Sequence, residues 1–119
     1  MPEPVTYVEV HSPDLARSRD FFTAVFGWDP QPFAAPDYLV APAADRGIDT
    51  GLLASRDGQP RAVPVIRVAS IDDARSRVEQ GGGRVVVEPF AIAGVGRGCY
   101  VTDPAGVLVG LHEYDPTAG

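Results

Sequence analysis

The sequence contains no lysine, only one cysteine and no long apolar run. Its ten basic residues are all arginines, spread singly along the chain, against sixteen acidic residues, for a formal net charge of −6. Nucleic-acid binding needs clustered positive charge, so we predict no nucleic-acid partner. A single cysteine, Cys99, excludes an internal disulfide and fits a reducing cytoplasm. Without a membrane-length segment or signal-peptide regions, the sequence predicts no membrane partner and a cytoplasmic location.

Glycine and proline, at 13 and 12, are more frequent than in an ordinary globular protein and indicate many turns and short strands. A chain of 119 residues has the length of one domain and can bury a core without disulfides. We therefore predict a single domain over residues 1–119.

The first half begins with an alternating segment, residues 6–10, that predicts a strand. Tyr7, Glu9 and His11 fall on one face of it. A helix then runs to about residue 26, with Ser12 as its predicted N-cap and Pro13 as its first residue. Its apolar stripe predicts packing on a sheet, and glycine ends it. Short strands follow near residues 28–33, 38–42 and 49–54, and His11 is expected to be exposed.

The pattern restarts after a polar turn at residues 56–60. A strand over residues 63–68 precedes a helix that Ser70 caps, and residues 81–83 end that helix. A strand over residues 84–90, a glycine-rich loop over 94–98 and a closing hairpin follow. A shift of 58 residues superimposes the two halves, including strand faces and helix starts. The sequence thus predicts two β-α-β-β-β units, with helices outside and a curved sheet inside.

The closing hairpin turns at Asp-Pro-Ala-Gly, where Asp103 bonds the backbone ahead of it and Gly106 accepts left-handed geometry. Because side chains alternate along a strand, Leu108, Gly110 and His112 share one face. That face is expected to line a cavity.

These motifs resemble the vicinal oxygen chelate superfamily, which includes glyoxalases, bleomycin-resistance proteins and extradiol dioxygenases. The resemblance rests on the segments at residues 7–10, 13–18 and 21–28 and on the hairpin at residues 103–113. It implies an α+β fold of two βαβββ modules, about residues 4–56 and 61–115, with curved sheets around a cavity and helices outside. From the resemblance alone, a homodimer is expected.

In metal-using members, the resemblance implies four ligand positions on the first, fourth, fifth and last strands. Here Tyr7 stands at the first, residues 51–53 at the second, Val63 or Val65 at the third and Gly110 at the fourth. Apolar or absent side chains cannot supply a ligand, so the family's metal site is predicted to be lost, with no metal and no cofactor. A substitute metal site of Glu9, His11 and His112 is a less favoured alternative.

The remaining inward-facing groups suit a small-molecule ligand. Glu9 suits a cationic or hydroxylated ligand or a general base with a raised pKa. The structural alternatives are an ion pair with Arg67 or a solvated group at the sheet edge. His112 is either an acid or base or a satisfied strand-end histidine. Aromatic side chains at positions 28, 33 and 38 are expected to line the cavity wall. The predicted ligand-binding set is Tyr7, Glu9, Trp28, Tyr38, Val65, Arg67, Tyr100, Gly110 and His112, with no catalytic residue identified.

Three functions remain open from the sequence. The favoured one is a metal-independent binder of an apolar or aromatic small molecule, either neutral or cationic. The second is a metal-dependent glyoxalase-like lyase or dioxygenase with non-standard ligands, and the third is a structural or regulatory module without chemistry. Whether the protein is an enzyme is left undecided.

Overall fold

A computed structural model describes residues 2–43, 47–115 and 117 and contains two copies of a β-α-β-β-β unit. The elements are β1 (Val5–Ser12), α1 (Leu15–Phe26), β2 (Gln31–Phe33), β3 (Ala35–Ala41), β4 (Thr50–Ala54), β5 (Arg61–Arg67), α2 (Ile71–Gln80), β6 (Arg84–Ile92), β7 (Gly96–Thr102) and β8 (Leu108–Tyr114). The predicted α+β fold with two βαβββ modules is confirmed. Among the described residues, no helix is both long enough and apolar enough to cross a membrane.

The chain divides into two compact units, with the boundary inside β5. The first unit is Thr6–Val63, and the second is Met1–Val5 together with Pro64–Gly119. In the first, β1 pairs in parallel with β4, which pairs antiparallel with β3, and β3 with β2. In the second, β5 pairs in parallel with β8, which pairs antiparallel with β7, and β7 with β6.

In the first unit, α1 covers one face of the sheet. Leu39, Ala41 and Leu52 form a buried cluster on that face, against which Leu15 and Phe22 of the helix pack. The predicted apolar stripe is only partly covered, however. Val25 and Phe26 belong to the apolar stripe that was predicted to pack on the sheet, but they are 55% and 60% exposed.

In the second unit, α2 packs on the face that carries Val109 and Leu111. Ile71, Ala74, Cys99 and Leu111 belong to one buried cluster with neighbouring valines. The opposite face of β8 therefore carries Gly110 and His112, as the alternation predicted. The hairpin turn also has the predicted chemistry, because Oδ1 of Asp103 accepts hydrogen bonds from two backbone N–H groups ahead of it.

The start of α1 differs from the prediction. Asp14 is the N-cap, and its side chain accepts from the backbone N–H of Arg17. Ser12 instead ends β1, and its hydroxyl accepts from the N–H of Asp14 and pairs with Ser18 at 2.6 Å. Because β1 pairs with β4 as far as Ser12, that residue and Pro13 lie outside the helix.

The predicted glycine-rich loop over residues 94–98 is also shorter than expected. β7 begins at Gly96, so the last three residues of that segment belong to the sheet. Gly96 has a φ of +144°, where a side chain would be strained and would meet the backbone of Glu113. A Cβ on Gly98 would lie 2.7 Å from the ring of Phe90. These glycines permit close packing in the sheet rather than loop motion.

Candidate functional site

In the first unit, Tyr7, Glu9 and His11 share the face of β1 that points away from α1. Glu9 pairs with Gly51 of β4, and Tyr38 of β3 lies across from Leu53 on the next strand. The structure therefore brings together Tyr7, Glu9 and Tyr38, three residues of the predicted ligand-binding set. His11, which was expected to be exposed, is only 2% exposed because β1 continues past it.

The carboxylate of Glu9 accepts hydrogen bonds from two side chains. The hydroxyl of Tyr38 donates to Oε2 at 2.6 Å, and Nε2 of His11 lies 3.0 Å from Oε1. Since a carboxylate can only accept, Nε2 carries the proton in this contact. Glu9 is 7% exposed, so these bonds replace the water that burial removes.

The two phenols continue the same chain of hydrogen bonds. The hydroxyls of Tyr7 and Tyr38 lie 2.9 Å apart. Because Tyr38 donates its only proton to Glu9, Tyr7 must be the donor to Tyr38. Burial raises the pKa of Tyr7 to about 12. Burial, reinforced by the negative charge of Glu9, also raises the pKa of Tyr38 well above its ordinary range, so both phenols keep their protons at neutral pH.

The phenol pair fills the space in front of Gly51. A Cβ atom on this glycine would lie 2.5 Å from the hydroxyl oxygen of Tyr38 and 2.6 Å from that of Tyr7. No side chain fits at position 51 unless a tyrosine moves. Gly51 lies in the segment predicted to hold the family's second metal-ligand position, and Tyr7 is at the first.

In the second unit, the face of the sheet opposite α2 carries the remaining predicted residues. Val65 pairs with Gly110, and Arg67 pairs with His112. Tyr100 pairs with Gly110 from the other side, and its ring stacks on Phe90 with centroids 6.1 Å apart. The structure thus brings together Val65, Arg67, Tyr100, Gly110 and His112.

Arg67 and His112 converge on the ring of Tyr114. The guanidinium carbon of Arg67 lies 4.8 Å from the ring centroid, and His112 meets the ring edge-on with centroids 6.4 Å apart. Burial, and next the positive charge of Arg67, lower the pKa of His112 below its ordinary value of 6.5, while Glu113 opposes this shift. Nε2 of His112 is buried and has no hydrogen-bond partner among the described residues.

The donors at the predicted metal-ligand positions do not suit a metal ion. These positions are Tyr7, residues 51–53, Val63 or Val65, and Gly110. One is a protonated phenol already engaged in a hydrogen bond, and the others are hydrocarbon or backbone. In neither unit do three or more His, Cys, Asp or Glu side chains of the described residues gather as ligands.

Trp28 is not placed with the other predicted ligand-binding residues. It packs on the α1 side of the first unit, stacked on Phe22 with ring centroids 4.7 Å apart. An open groove of about 620 Å³ lies along α1 and the end of β1, and Arg17, Phe21 and Phe22 are among the residues that line it. None of the predicted ligand-binding residues borders this groove.

Sequence reasoning missed two features of these surfaces. Gly51 was considered only as a lost ligand, although a glycine inside an apolar strand is itself a signal of close approach by another group. Phe90 was assigned to a strand without a role, and its stacking on Tyr100 depends on strand register, which the sequence does not display.

Comparison with known proteins agrees with the fold and the motifs. The profile of the Glyoxalase/Bleomycin resistance protein/Dioxygenase superfamily matches residues 5–111. The anthracycline biosynthesis protein DnrV of Streptomyces peucetius is 35% identical in an alignment that covers 84% of this chain and 43% of DnrV. The chain thus spans less than half the length of this relative.

Two solved structures extend the comparison. The Mn(II)-bound glyoxalase from Novosphingobium aromaticivorans is 26% identical, with a TM-score of 0.67 over 99% of this chain and 42% of the glyoxalase. Methylmalonyl-CoA epimerase from Mycobacterium tuberculosis has a TM-score of 0.64 at 21% identity, over 92% of this chain and 87% of the epimerase. At that identity the second likeness concerns the fold alone.

Proposed function

Because the chain belongs to the Glyoxalase/Bleomycin resistance protein/Dioxygenase superfamily, we propose that it binds a small molecule without using a metal ion. In each unit the candidate contact surface is the sheet face opposite the helix, which carries Tyr7, Glu9 and Tyr38 in the first unit and Arg67, Tyr100 and His112 in the second. The observation that carries the proposal is the phenol pair of Tyr7 and Tyr38, which occupies the space where a side chain at position 51 would stand.

The ligand class follows from the side chains on these faces. Tyr100 and Phe90 offer stacked aromatic rings, and Val65 and the ring of Tyr100 flank the backbone of Gly110. Such a surface favours an aromatic or apolar ligand, with a few polar groups to orient it. Because DnrV is named for anthracycline biosynthesis, planar aromatic polycycles are the first compounds to test.

A thermal-shift screen with metal analysis tests this proposal. A ligand present at a hundred times its dissociation constant should raise the free energy of unfolding by about 2.7 kcal/mol. The compounds in the screen should include an anthracycline that carries an amino sugar and its neutral aglycone, as an anthracycline series. Because the two differ in the charged sugar, their comparison separates recognition of the aromatic rings from recognition of the positive charge. No shift with any member of an aromatic library would contradict the proposal and favour a structural or regulatory module.

A metal-dependent glyoxalase-like activity is the second candidate, and the likeness to a Mn(II)-bound glyoxalase favours it. It requires ligands other than those at the predicted positions. Elemental analysis of freshly purified protein separates the two candidates: stoichiometric Mn, Ni, Zn or Fe that survives dialysis supports the second and overturns the first.

The expected homodimer remains a prediction. Phe21, Val25 and Phe26 of α1 are each more than half exposed, and a surface of this kind often marks an interface. Sedimentation equilibrium of the purified chain, repeated with Phe26→Ser and with Phe33→Ser as a control on β2, tests whether two copies pair through α1.

A further inference from the structure

The positive charge of Arg67 and the imidazole of His112 lie side by side in the second unit. The two residues are register partners in the parallel pair of β5 and β8, so their side chains leave the sheet on the same face. Both contact the ring of Tyr114, which holds Arg67 by a cation–π interaction at 4.8 Å and His112 by an edge contact at 6.4 Å. The ring therefore limits where each side chain points.

Both groups have unused hydrogen-bonding capacity. Within the part of the chain that the structure describes, the guanidinium of Arg67 makes no ion pair, although Arg61, Arg75, Arg77 and Arg97 each have a carboxylate partner. Nε2 of His112 is buried without a partner there. An unsatisfied buried polar atom is costly, so a ligand atom that bonds to it gains affinity.

In the first unit, by contrast, both carboxylate oxygens of Glu9 are already engaged in hydrogen bonds. Oε2 accepts one from Tyr38 at 2.6 Å, and Oε1 accepts one from His11 at 3.0 Å. A cationic ligand would have to displace one of these donors. The expected recognition of a cation by Glu9 is therefore less favourable than recognition of an anion by the free donors of the second unit.

We propose that Arg67 and His112 form an anion-binding subsite that takes the acidic group, a carboxylate, of an aromatic ligand. The inference rests on the proposed small-molecule function and fixes the sign of the ligand's charge. A guanidinium binds a carboxylate with two donors in its plane, and the Nε2–H tautomer of a neutral imidazole supplies a third. The aromatic part of the ligand then lies towards Gly110, where Val65 and the ring of Tyr100 provide apolar contact.

Three probes of similar shape test the charge preference: 2-naphthoate, 2-naphthamide and 2-naphthylmethylammonium, titrated by calorimetry into the full chain. We expect naphthoate to bind about ten-fold tighter than naphthamide, as charge-assisted hydrogen bonds would give, and the ammonium to bind weakest. Arg67→Gln should remove the advantage of naphthoate over naphthamide. Arg84→Gln, which removes one exposed charge from β6 of the same unit, should leave that ratio unchanged.

A second readout reports on His112 directly. The chain has two histidines, so the imidazole signals are easily assigned in NMR spectra, and naphthoate should shift those of His112 and not those of buried His11.

Equal affinity for naphthoate and naphthamide, or tightest binding of the ammonium, overturns the anion subsite while leaving the small-molecule function standing. If no naphthalene probe binds and the anthracycline series also fails, the proposed function itself is overturned.

Discussion

The hydroxyl of Tyr38 donates to the carboxylate of Glu9 at 2.6 Å across a sequence separation of 29 residues. This hydrogen bond joins β3 to β1 across β4, over the bare backbone of Gly51. It makes the carboxylate of Glu9 part of the first unit's internal structure. A buried carboxylate in this family fold can thus be stabilising without binding a ligand.

Removing the hydroxyl of Tyr38 tests that view. We expect Tyr38→Phe to lower the free energy of unfolding by about 1–3 kcal/mol, because a buried charged acceptor loses a donor. Urea unfolding followed by circular dichroism measures the change. Tyr114→Phe, at a residue 53% exposed, is the control and should change stability by less than about 0.5 kcal/mol. Equal effects of the two substitutions would show that the short bond contributes nothing.

A methyl group at position 51 should collide with the phenols. Gly51→Ala is expected to cost about 1–3 kcal/mol, as overpacking does, because both hydroxyl oxygens would lie near 2.5 Å from the new atom. Gly110→Ala is the comparison, since its nearest neighbour is a methyl of Val65 at 3.1 Å, and it should cost less. In the double variant Gly51→Ala with Tyr38→Phe, the total loss of unfolding free energy should be smaller than the sum of the two single losses. Tyr38→Phe removes one of the two oxygen atoms with which the new methyl group collides. Additive losses would contradict the geometry.

The charge state of His112 should make stability depend on pH. Its pKa in the folded protein is lower than its ordinary value of 6.5 because of burial and Arg67. Between the folded pKa and 6.5, the unfolded chain binds a proton that the folded chain does not. The free energy of unfolding therefore falls as the pH falls from 6.5 towards the folded pKa. Above pH 6.5 this contribution to stability is fully present. His112→Gln should flatten this part of the stability profile. Arg67→Gln should raise the pKa of His112 in an NMR titration, because it removes a neighbouring positive charge. A pKa of His112 at or above 6.5 in the unsubstituted protein would contradict the predicted pH dependence.

Cys99 should be inert in the folded protein. It is 1% exposed, its thiol lies 3.3 Å from the carbonyl oxygen of Val87, and burial raises its pKa. Since the thiolate is the reactive form, an aromatic disulfide reagent should label it slowly in native buffer and completely in denaturant. As a control, Ser76→Cys in a Cys99→Ala background places a thiol at an exposed position, and this thiol should react at once. Comparable rates for the two thiols in native buffer would mean that the second unit opens readily.

Most of the fold could be predicted from the sequence because the two halves repeat the same strand patterns and helix-capping residues. Ser70 caps α2 as predicted, and Gly27 ends α1 in left-handed geometry at a φ of +73°. The start of α1 was mispredicted because the Ser-Pro-Asp segment offers two capping side chains. Only the pairing of Ser12 with Ala54 on β4, which is non-local, decides between them.

The candidate site was accessible in part. Strand alternation alone placed Glu9, Arg67 and His112 on the faces opposite the helices. It could not supply the hydrogen bonds between Tyr7, Tyr38 and Glu9, because these depend on the register of β3 against β4. The burial of His11 was missed for a related reason, since it follows from two extra residues of strand pairing.

The glycine beneath the phenol pair has a consequence for how such chains diverge. A coordinating side chain at position 51 cannot be gained by one substitution, because the tyrosine hydroxyls already occupy its volume. In related sequences, residues 7, 38 and 51 should therefore covary: lineages with a carboxylate or imidazole at 51 should lack one or both tyrosines. The switch between metal-using and phenol-bearing forms would then require at least two coupled exchanges, with intermediates of reduced stability.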